Sequence, residues 1–190
     1  MIRAIERSLF VVAIVALSWY AAARIDAARE QAALSRELEA ARAEVSAGAP
    51  SAAAAPLATR ALVGRIEVPR LRLSALVREG VDVRTLRGSV GHVPGTALPG
   101  RRGNTAFAAH RDTFFGPLKG IRTGDEVIVT TPGAVHHYAV TGTRIVDPSD
   151  VSVLRQSDDG RLTLVTCYPF DYVGSAPKRF IVQASLRSTP

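Results

Sequence analysis

The chain has 190 residues, which is enough for one domain with an appendage. Its single cysteine excludes an intramolecular disulfide and any metal site built from two or four cysteines. The net charge of +7 reflects 24 Lys and Arg against 17 Asp and Glu. Aromatic residues are not interleaved with these basic residues, so the composition does not indicate nucleic-acid binding.

The first predicted element is an apolar helix near the N-terminus. Residues 9–23 carry no charge and follow Arg3 and Arg7, which favours a signal-anchor whose N-terminus stays in the cytoplasm. As a helix this run rises about 23 Å, short of the roughly 30 Å hydrocarbon core. The three alanines at 21–23 also resemble a signal-peptide cleavage site. We favour an uncleaved single-pass anchor in residues 1–23, because the helical pattern continues beyond it. The rest of the chain would then lie on the extracytoplasmic side of the cell membrane.

Residues 24–61 are predicted to form a helical stalk followed by a linker. Strong helix formers dominate up to residue 47. Within them, four apolar residues are spaced as a short coiled-coil seam: Leu34, Leu38, Ala41 and Val45. The seam covers under two heptads, so we expect a solvated stalk. Residues 46–61 are rich in Ala and Pro, which is typical of a flexible linker. A chain lacking residues 1–61 is therefore expected to fold and remain active.

Residues 62–190 change in texture to short strands and glycine-rich turns. Strands are predicted at 62–68, 71–79, 104–110, 126–131, 135–146, 162–167 and 177–182. Short helical turns are predicted at 81–87, 114–121 and 148–154, and residues 88–103 are predicted to be loop. About eight short strands with little helix indicate a mainly β fold, closed or nearly closed into a barrel.

The cysteine lies at the end of a predicted strand, just before Tyr168-Pro169-Phe170. Strand alternation puts Cys167 on the opposite face from Thr166. If residues 177–182 pair antiparallel with this strand, Cys167 faces Arg179 with Cβ atoms roughly 5 Å apart. A thiol beside a permanent cation favours thiolate chemistry. The alternative is a structural cysteine, since lone cysteines are often small buried apolar residues.

Four histidines are candidates for a base that would activate this thiol. His110 ends a predicted strand, and its neighbours on the same face are small alanines that leave room for a bound chain. His92 is interpreted as a loop residue, and His136 and His137 as structural or surface residues. Their spacing matches no metal-ligand motif, so we predict no metal site and no cofactor.

Three segments together resemble the sortase family. Residues 163–167, Thr-Leu-Val-Thr-Cys, resemble its Thr-Leu-x-Thr-Cys signature, and residues 108–113, Ala-Ala-His-Arg-Asp-Thr, resemble its Ala-Gly-His-Arg-Asp segment. Residues 178–180, Lys-Arg-Phe, resemble the strand that carries its essential arginine. The resemblance covers residues 63–187 and is most like the class D sortases, including Gram-negative-type sortases. One departure is Ala109 in place of the usual glycine, which adds a methyl group that would crowd the substrate groove.

This resemblance implies an eight-stranded sortase-type barrel and a cysteine transpeptidase. Such an enzyme cuts an LPxTG-like sorting signal after threonine, forms a thioacyl-enzyme and passes the acyl group to an amine. Cys167 would be the nucleophile, His110 the acid and base, and Arg179 the cation that stabilises the oxyanion or holds the peptide. The implied partners are proteins with a C-terminal sorting signal and an amine acceptor, either a cell-wall peptide or a pilin lysine. The N-terminal helix would bind the membrane.

Other site residues are less sharply defined. Ala109, Thr166 and Pro169 are expected to contact the substrate, although a β-former in a strand explains Thr166 equally well. Asp112 either orients a nearby group or, as we favour, caps the turn before Phe114-Phe115. Residues 169–177 form either a wall of the groove or a plain hairpin loop.

Two alternative functions stay open. A cysteine peptidase would hydrolyse the same acyl-enzyme with water. An inactive membrane-tethered binding module would keep Cys167 as a structural residue.

Overall fold

The computed structural model describes residues 2–47 and 57–187. Within these residues a long helix, α1 (Ile2–Ser46), precedes a set of strands and one short helix, α2 (Val83–Gly88). The strands are β1 (Leu62–Val68), β2 (Leu73–Glu79), β3 (Val90–His92), β4 (Gly103–Ala108), β5 (Glu126–Thr130), β6 (Val135–Val146), β7 (Gly160–Tyr168) and β8 (Lys178–Leu186). Short 3₁₀ turns occupy Pro69–Leu71, Gly116–Gly120 and Val151–Leu154.

The strands form a closed barrel in the order β1-β2-β3-β4-β7-β8-β6-β5, and β5 pairs with β1 to close it. This confirms the predicted mainly β, eight-stranded barrel with short helices. The β2–β3 and β4–β7 pairs are parallel, and the other pairs are antiparallel. Because β4 and β7 are parallel, their C-terminal ends reach the same rim of the barrel.

Alternate residues of the strands fill the barrel interior. Leu162 and Leu164 of β7 and Phe107 of β4 are fully buried in the core. Since successive strand residues point to opposite faces, Val165 and Cys167 lie on the outer face of β7. The rigid core therefore supports the backbone of a strand whose outer face carries the thiol.

The structure corrects the loop predicted over residues 88–103. Val90–His92 forms β3, which pairs in parallel with β2 and antiparallel with β4. A strand of three residues carries no readable alternation, so its pairing partners define it rather than its own pattern. The backbone is tightly packed at Gly91, because a Cβ at this position would lie 2.3 Å from the Gly80 carbonyl oxygen.

His92 is accordingly a buried strand residue and not the loop residue expected. The residue is only 2% exposed, and Nδ1 of its ring lies 2.5 Å from Glu79 Oε2. Its Nε2 lies 3.1 Å from the Ala97 carbonyl oxygen. Both ring nitrogens therefore have partners inside the protein, and the residue joins β2 to β3.

The C-terminal half of α1 is packed on the barrel, which corrects the expected solvated stalk. Leu34 and Leu38 are 0% and 2% exposed and cluster with Leu76 of β2. Gln31 donates from Nε2 to the Gly88 carbonyl at 2.7 Å, and its Oε1 accepts from the Leu76 N–H at 2.9 Å. The leucine seam thus meets the outside of the barrel instead of another helix, because β2 presents an apolar residue there.

The predicted division into residues 1–23, 24–61 and 62–190 stays a prediction. Most of the linker predicted over residues 46–61 lies outside the described residues.

The N-terminal half of α1 carries apolar side chains that are exposed. Leu9, Phe10 and Trp19 are 65%, 70% and 79% exposed. Among the residues that the structure describes, no helix is both long enough and apolar enough to cross a membrane.

Candidate active site

The strand pairing places the cysteine beside an arginine. In the antiparallel β7–β8 pair, Cys167 lies directly opposite Arg179, which confirms the predicted register. Both residues are partly exposed, and Cys167 is a free thiol. Residues paired across an antiparallel sheet share a face, so the thiol and the guanidinium both start from the outer face of the barrel.

The parallel β4–β7 pairing brings the predicted base to the same rim. Ala108 pairs with Val165, and the Ala109 N–H continues the ladder by donating to the Val165 carbonyl at 3.2 Å. His110 lies two residues past the end of β4, after Ala109, and is exposed. The β4–β7 pairing ends at Ala108 and Val165, and His110 and Cys167 each follow two residues later, beyond neighbouring strands that lie about 4.8 Å apart. The fold therefore brings His110, Cys167 and Arg179 together at one rim.

Thr166 connects the strand that carries Cys167 to the segment that carries His110. Its Oγ1 donates to the Ala109 carbonyl at 2.8 Å, and the residue is only 2% exposed. The hydroxyl is thus engaged inside the protein as a positioning contact, and contact of Thr166 with substrate stays a prediction. The bond links the residue before Cys167 to the residue before His110, so it sets the two strand ends relative to each other.

Ala109 does not crowd the groove. It is 5% exposed and belongs to the buried core cluster, so its methyl group points into the barrel. Its backbone N–H and carbonyl are bound to Val165 and Thr166. The extra methyl in place of glycine therefore packs as core, and contact of Ala109 with substrate stays a prediction.

The β7–β8 loop, residues 169–177, is held by arginine side chains at both of its ends. Arg111 donates to the carbonyls of Pro169 at 2.9 Å, Tyr172 at 2.7 Å and Gly174 at 3.0 Å. Its guanidinium carbon also lies 5.9 Å from the centre of the Tyr172 ring. Pro169, an expected substrate contact, is thus engaged through its carbonyl by Arg111. No sequence pattern predicts this role of Arg111, although its place directly after His110 is a signal for it.

Arg179 contacts the other end of the same loop. Its Nη1 donates to the Ala176 carbonyl at 3.3 Å and to the Lys178 carbonyl at 3.0 Å. A guanidinium has five N–H donors in a planar fork, so these two contacts occupy one of its nitrogens. The side chain is thereby oriented while it keeps further donor capacity.

The predicted capping role of Asp112, in the turn before Phe114-Phe115, stays a prediction. The following 3₁₀ turn, Gly116–Gly120, has Phe115 as its N-cap residue, and no side chain in the described part of the chain caps it. Asp112 is exposed.

Away from the rim, the outer face of the same strands is covered. Asn104 of β4 donates from Nδ2 to the carbonyls of Val153 at 2.9 Å and Arg155 at 3.2 Å. Its Oδ1 accepts from Thr163 Oγ1 at 2.8 Å, and both residues are fully buried. The β6–β7 connection therefore lies over this part of the sheet.

The coverage extends to Ala106, which is 0% exposed, whereas Ala108 and Val165 are partly exposed. The room expected above the small alanines of β4 therefore begins only at Ala108, close to the rim.

An aromatic cluster supports the strand ends. The rings of Tyr168, Phe170 and Phe180 are in mutual contact, with centroids 5.2 to 6.3 Å apart. Phe170 and Phe180 also pack on the buried core. Because Tyr168 and Phe180 are sequence neighbours of Cys167 and Arg179, this packing fixes the backbone that carries them.

The remaining histidines lie elsewhere. His136 and His137 are at the start of β6, whereas the other end of β6 pairs with Arg179. His137 Nδ1 lies 3.0 Å from Glu126 Oε1. Burial, and then the neighbouring charge of His137, lower the pKa of His136. In residues 2–47 and 57–187, no group of three or more His, Cys, Asp or Glu residues is arranged to hold a metal ion.

A thiol, an imidazole and a guanidinium at one rim of a small closed barrel define a candidate cysteine acyl-transfer enzyme. Comparison with known proteins agrees with this class. The family model described as "Sortase domain" matches residues 66–187. The chain therefore belongs to the sortase family, whose members are cysteine transpeptidases that act on sorting signals.

Individual relatives confirm the resemblance to class D sortases. The chain is 35% identical over 120 residues to Sortase D of Bacillus subtilis (strain 168), covering 63% of this chain and 61% of the relative. It is 32% identical over 133 residues to Sortase A of Listeria monocytogenes serovar 1/2a, covering 68% and 58%. The chain thus spans about three fifths of the length of both relatives.

A solved structure shares the fold. The structure of a Clostridium perfringens Sortase D5 transpeptidase matches with a TM-score of 0.68 at 23% identity, covering 84% of this chain and 97% of that chain. At this identity the match supports the fold alone.

Proposed function

We propose that this chain is a membrane-anchored cysteine transpeptidase. It cleaves an LPxTG-like sorting signal after threonine and transfers the upstream protein to an amine acceptor in the cell envelope. The observation that carries the proposal is the strand register, which pairs Cys167 with Arg179 and brings the end of β4, with His110, to the same rim. Membership of the sortase family supports the same chemistry.

The first step forms the acyl-enzyme. The thiolate of Cys167 attacks the carbonyl carbon of the signal threonine, and a C–S bond forms. The threonine–glycine C–N bond then breaks, and protonated His110 gives its proton to the leaving glycine amine. The products are a thioester of the upstream protein, a free amine and a neutral imidazole.

The second step transfers the acyl group. A neutral amine attacks the thioester carbon, and His110 accepts the proton from the attacking nitrogen. The C–S bond breaks, so that the thiolate of Cys167 and the protonated imidazole are restored. A cell-wall peptide and a pilin lysine both provide a suitable amine.

Arg179 stabilises the negative oxygen that develops in both steps, or it holds the signal peptide by a backbone carbonyl. Its partial exposure beside Cys167 and its oriented guanidinium support either role. Preorganised donors of this kind act without reorganisation at the moment of reaction.

We place the N-terminal half of α1 in the cytoplasmic membrane as an anchor, with the catalytic domain on the extracytoplasmic side. Its apolar run falls short of a full membrane span, so this placement also relies on Trp19 and Tyr20 at the membrane interface and on the flanking arginines. The support is the run of exposed apolar residues between Leu9 and Tyr20, since a helix that is apolar all round is typical of a lipid environment. Arg3 and Arg7 favour a cytoplasmic N-terminus. Fractionation of cells, followed by protease treatment of intact spheroplasts, tests this placement. Recovery of the protein in the soluble fraction would contradict it.

The catalytic proposal is tested with the full chain in detergent and peptides of the form Leu-Pro-x-Thr-Gly with every residue at x. Mass spectrometry follows the Cys167 thioester and the products with and without diglycine or a diaminopimelate-containing stem peptide as acceptor. We expect cleavage after threonine and a new amide to the acceptor.

Two other outcomes separate the alternatives. A product distribution that the amine leaves unchanged would indicate a cysteine peptidase. Failure to cleave any peptide, together with a native thiol that resists iodoacetamide, would indicate an inactive binding module.

A further inference from the structure

The β7–β8 loop is bound mainly through its backbone oxygens. Arg111 donates hydrogen bonds to the carbonyls of Pro169, Tyr172 and Gly174 at 2.7 to 3.0 Å. Arg179 donates a hydrogen bond to the carbonyl of Ala176, further along the same loop. Two guanidiniums therefore hold almost alternate carbonyls along the loop, one from the β4 side and one from β8.

The two arginines leave the barrel next to the proposed reactive groups. Arg111 follows His110 in sequence, and Arg179 is paired with Cys167. The loop between them begins two residues after Cys167. A shift of this loop thus changes both the wall beside the thiol and the carbonyls that orient Arg179.

We infer that Arg111 is a positioning residue that holds the β7–β8 loop in the conformation that receives the signal peptide. The inference rests on the proposed function and deepens it. Arg111 does not touch the reacting atoms. It affects the reaction through the position of the loop, so its substitution should change substrate binding more than bond breaking.

The chemistry of the contact favours arginine over any other residue. A planar fork can donate to three carbonyls at once while its face lies over an aromatic ring, here that of Tyr172. A lysine ammonium is a compact charge on a flexible chain, so it retains the charge but not this set of contacts.

A second tether on the same loop provides a matched control. Lys119 Nζ lies 2.6 Å from Asp171 Oδ2, but these side chains are 60% and 81% exposed. Exposed ion pairs contribute little to stability. Lys119→Gln therefore removes one positive charge from the same surface and one contact from the same loop, with little expected effect on loop position.

The experiment compares the full chain with Arg111→Ala, Arg111→Lys and Lys119→Gln. The first readout is limited chymotrypsin digestion after Tyr172, which needs no activity. Tyr172 and Val173 are 48% and 95% exposed, so cleavage there depends on how freely the loop can move into the protease. The second readout is kcat and KM for the Leu-Pro-x-Thr-Gly peptide that the wild-type chain cleaves best. The third is the rate at which iodoacetamide alkylates Cys167.

We expect Arg111→Ala to raise the rate of chymotrypsin cleavage about tenfold, as befits the loss of several charge-assisted hydrogen bonds. The KM should rise by a similar factor, with kcat and thiol alkylation within about threefold of wild type. Arg111→Lys should fall between wild type and Arg111→Ala, and Lys119→Gln should match wild type.

Unchanged loop cleavage in Arg111→Ala would overturn the inference, as would equal effects of Arg111→Ala and Lys119→Gln. A fall in kcat and alkylation with no change in KM would assign Arg111 to the chemical step or to general structure, and would also overturn it. If the wild-type chain cleaves no peptide, the proposed function fails by itself, and the chymotrypsin readout still decides whether Arg111 holds the loop.

Discussion

The outer face of β4 and β7 has two ends with opposite surroundings. At the covered end, Asn104 and Thr163 are fully buried and bonded to each other and to the β6–β7 connection. At the open rim, Cys167 and His110 are partly or fully exposed on the same strands. The strands, their alternation and their pairing are shared, so only the covering segments differ.

This difference shows what makes a polar residue structural or reactive in this fold. Under the β6–β7 connection, polar side chains satisfy each other and lose access to solvent, which makes them part of the stability of the domain. At the rim, arginines bind the neighbouring loop through its carbonyls, and the thiol and imidazole are partly or fully exposed. Substitutions at the rim should therefore impair activity, and substitutions under the connection should impair stability.

The largest expected effect comes from the thiol. Cys167→Ala should lower peptide cleavage and transfer by at least about a thousandfold, because removal of a nucleophile leaves only the contributions of binding and electrostatics. The melting temperature should stay within about 2 °C of wild type, since the residue is partly exposed and outside the core. Calorimetry measures the melting temperature, and the peptide assay measures cleavage and transfer. Retained transfer in Cys167→Ala would show that the reactive group does not lie at the open rim.

The next effect concerns the cation. Arg179→Gln should reduce kcat/KM by about a hundredfold or more, the usual cost of losing a donor to a developing oxyanion. Arg179→Lys keeps the charge but loses the planar fork, so it should recover only part of the activity. Lys178→Gln is the neighbouring control and removes an exposed contact to Asp147. Equal losses in Arg179→Gln and Lys178→Gln would point to net surface charge instead of a placed donor.

The surface under the helix α1 adds a second covered surface to the comparison. A chain lacking residues 1–61 should unfold with a free energy about 3 kcal/mol lower than a chain lacking residues 1–23. Only the longer deletion exposes Leu76 and removes Leu34, Leu38 and the Gln31 bonds. Both chains should still cleave peptide when folded. Urea titration measures the difference in the free energy of unfolding. Equal stability of the two chains would support the solvated stalk that the sequence predicts.

The smallest effect is expected under the β6–β7 connection. Asn104→Ala should lower the free energy of unfolding by about 2 kcal/mol, because the Val153 and Arg155 carbonyls lose their donor. Per folded molecule, kcat/KM should stay within about threefold of wild type. Asp158→Asn, in the same connection and exposed, serves as the control. A loss of activity larger than the loss of folded protein would show that the two ends are coupled.

Much of the barrel and its rim could be predicted from the chain alone. The sequence of the strand that carries Cys167 alternates clearly. If the next strand pairs with it as an antiparallel hairpin, the midpoint of the connecting loop places Arg179 opposite Cys167, as observed. The segment around His110 and the residues 163–167 carried the family resemblance. These features are local, or they follow from one hairpin, so neighbouring residues suffice to read them.

Other features depend on contacts between distant segments. The strand Val90–His92 exists because β2 and β4 flank it. The leucine seam of α1 is buried because Leu76 happens to face it, and Arg111 matters because the loop carbonyls of residues far along the chain turn towards it. No local pattern encodes these partners.

By itself, the sequence determined the β class, most of the strands along the chain and the choice of the proposed reactive groups, since periodicity and residue chemistry are properties of short segments. The tertiary structure alone decided which polar residues are covered, where Thr166 and Ala109 direct their side chains, and which arginine holds the loop. The reason is that burial and hydrogen-bond partners are set by chain closure, which brings together residues that no short window contains.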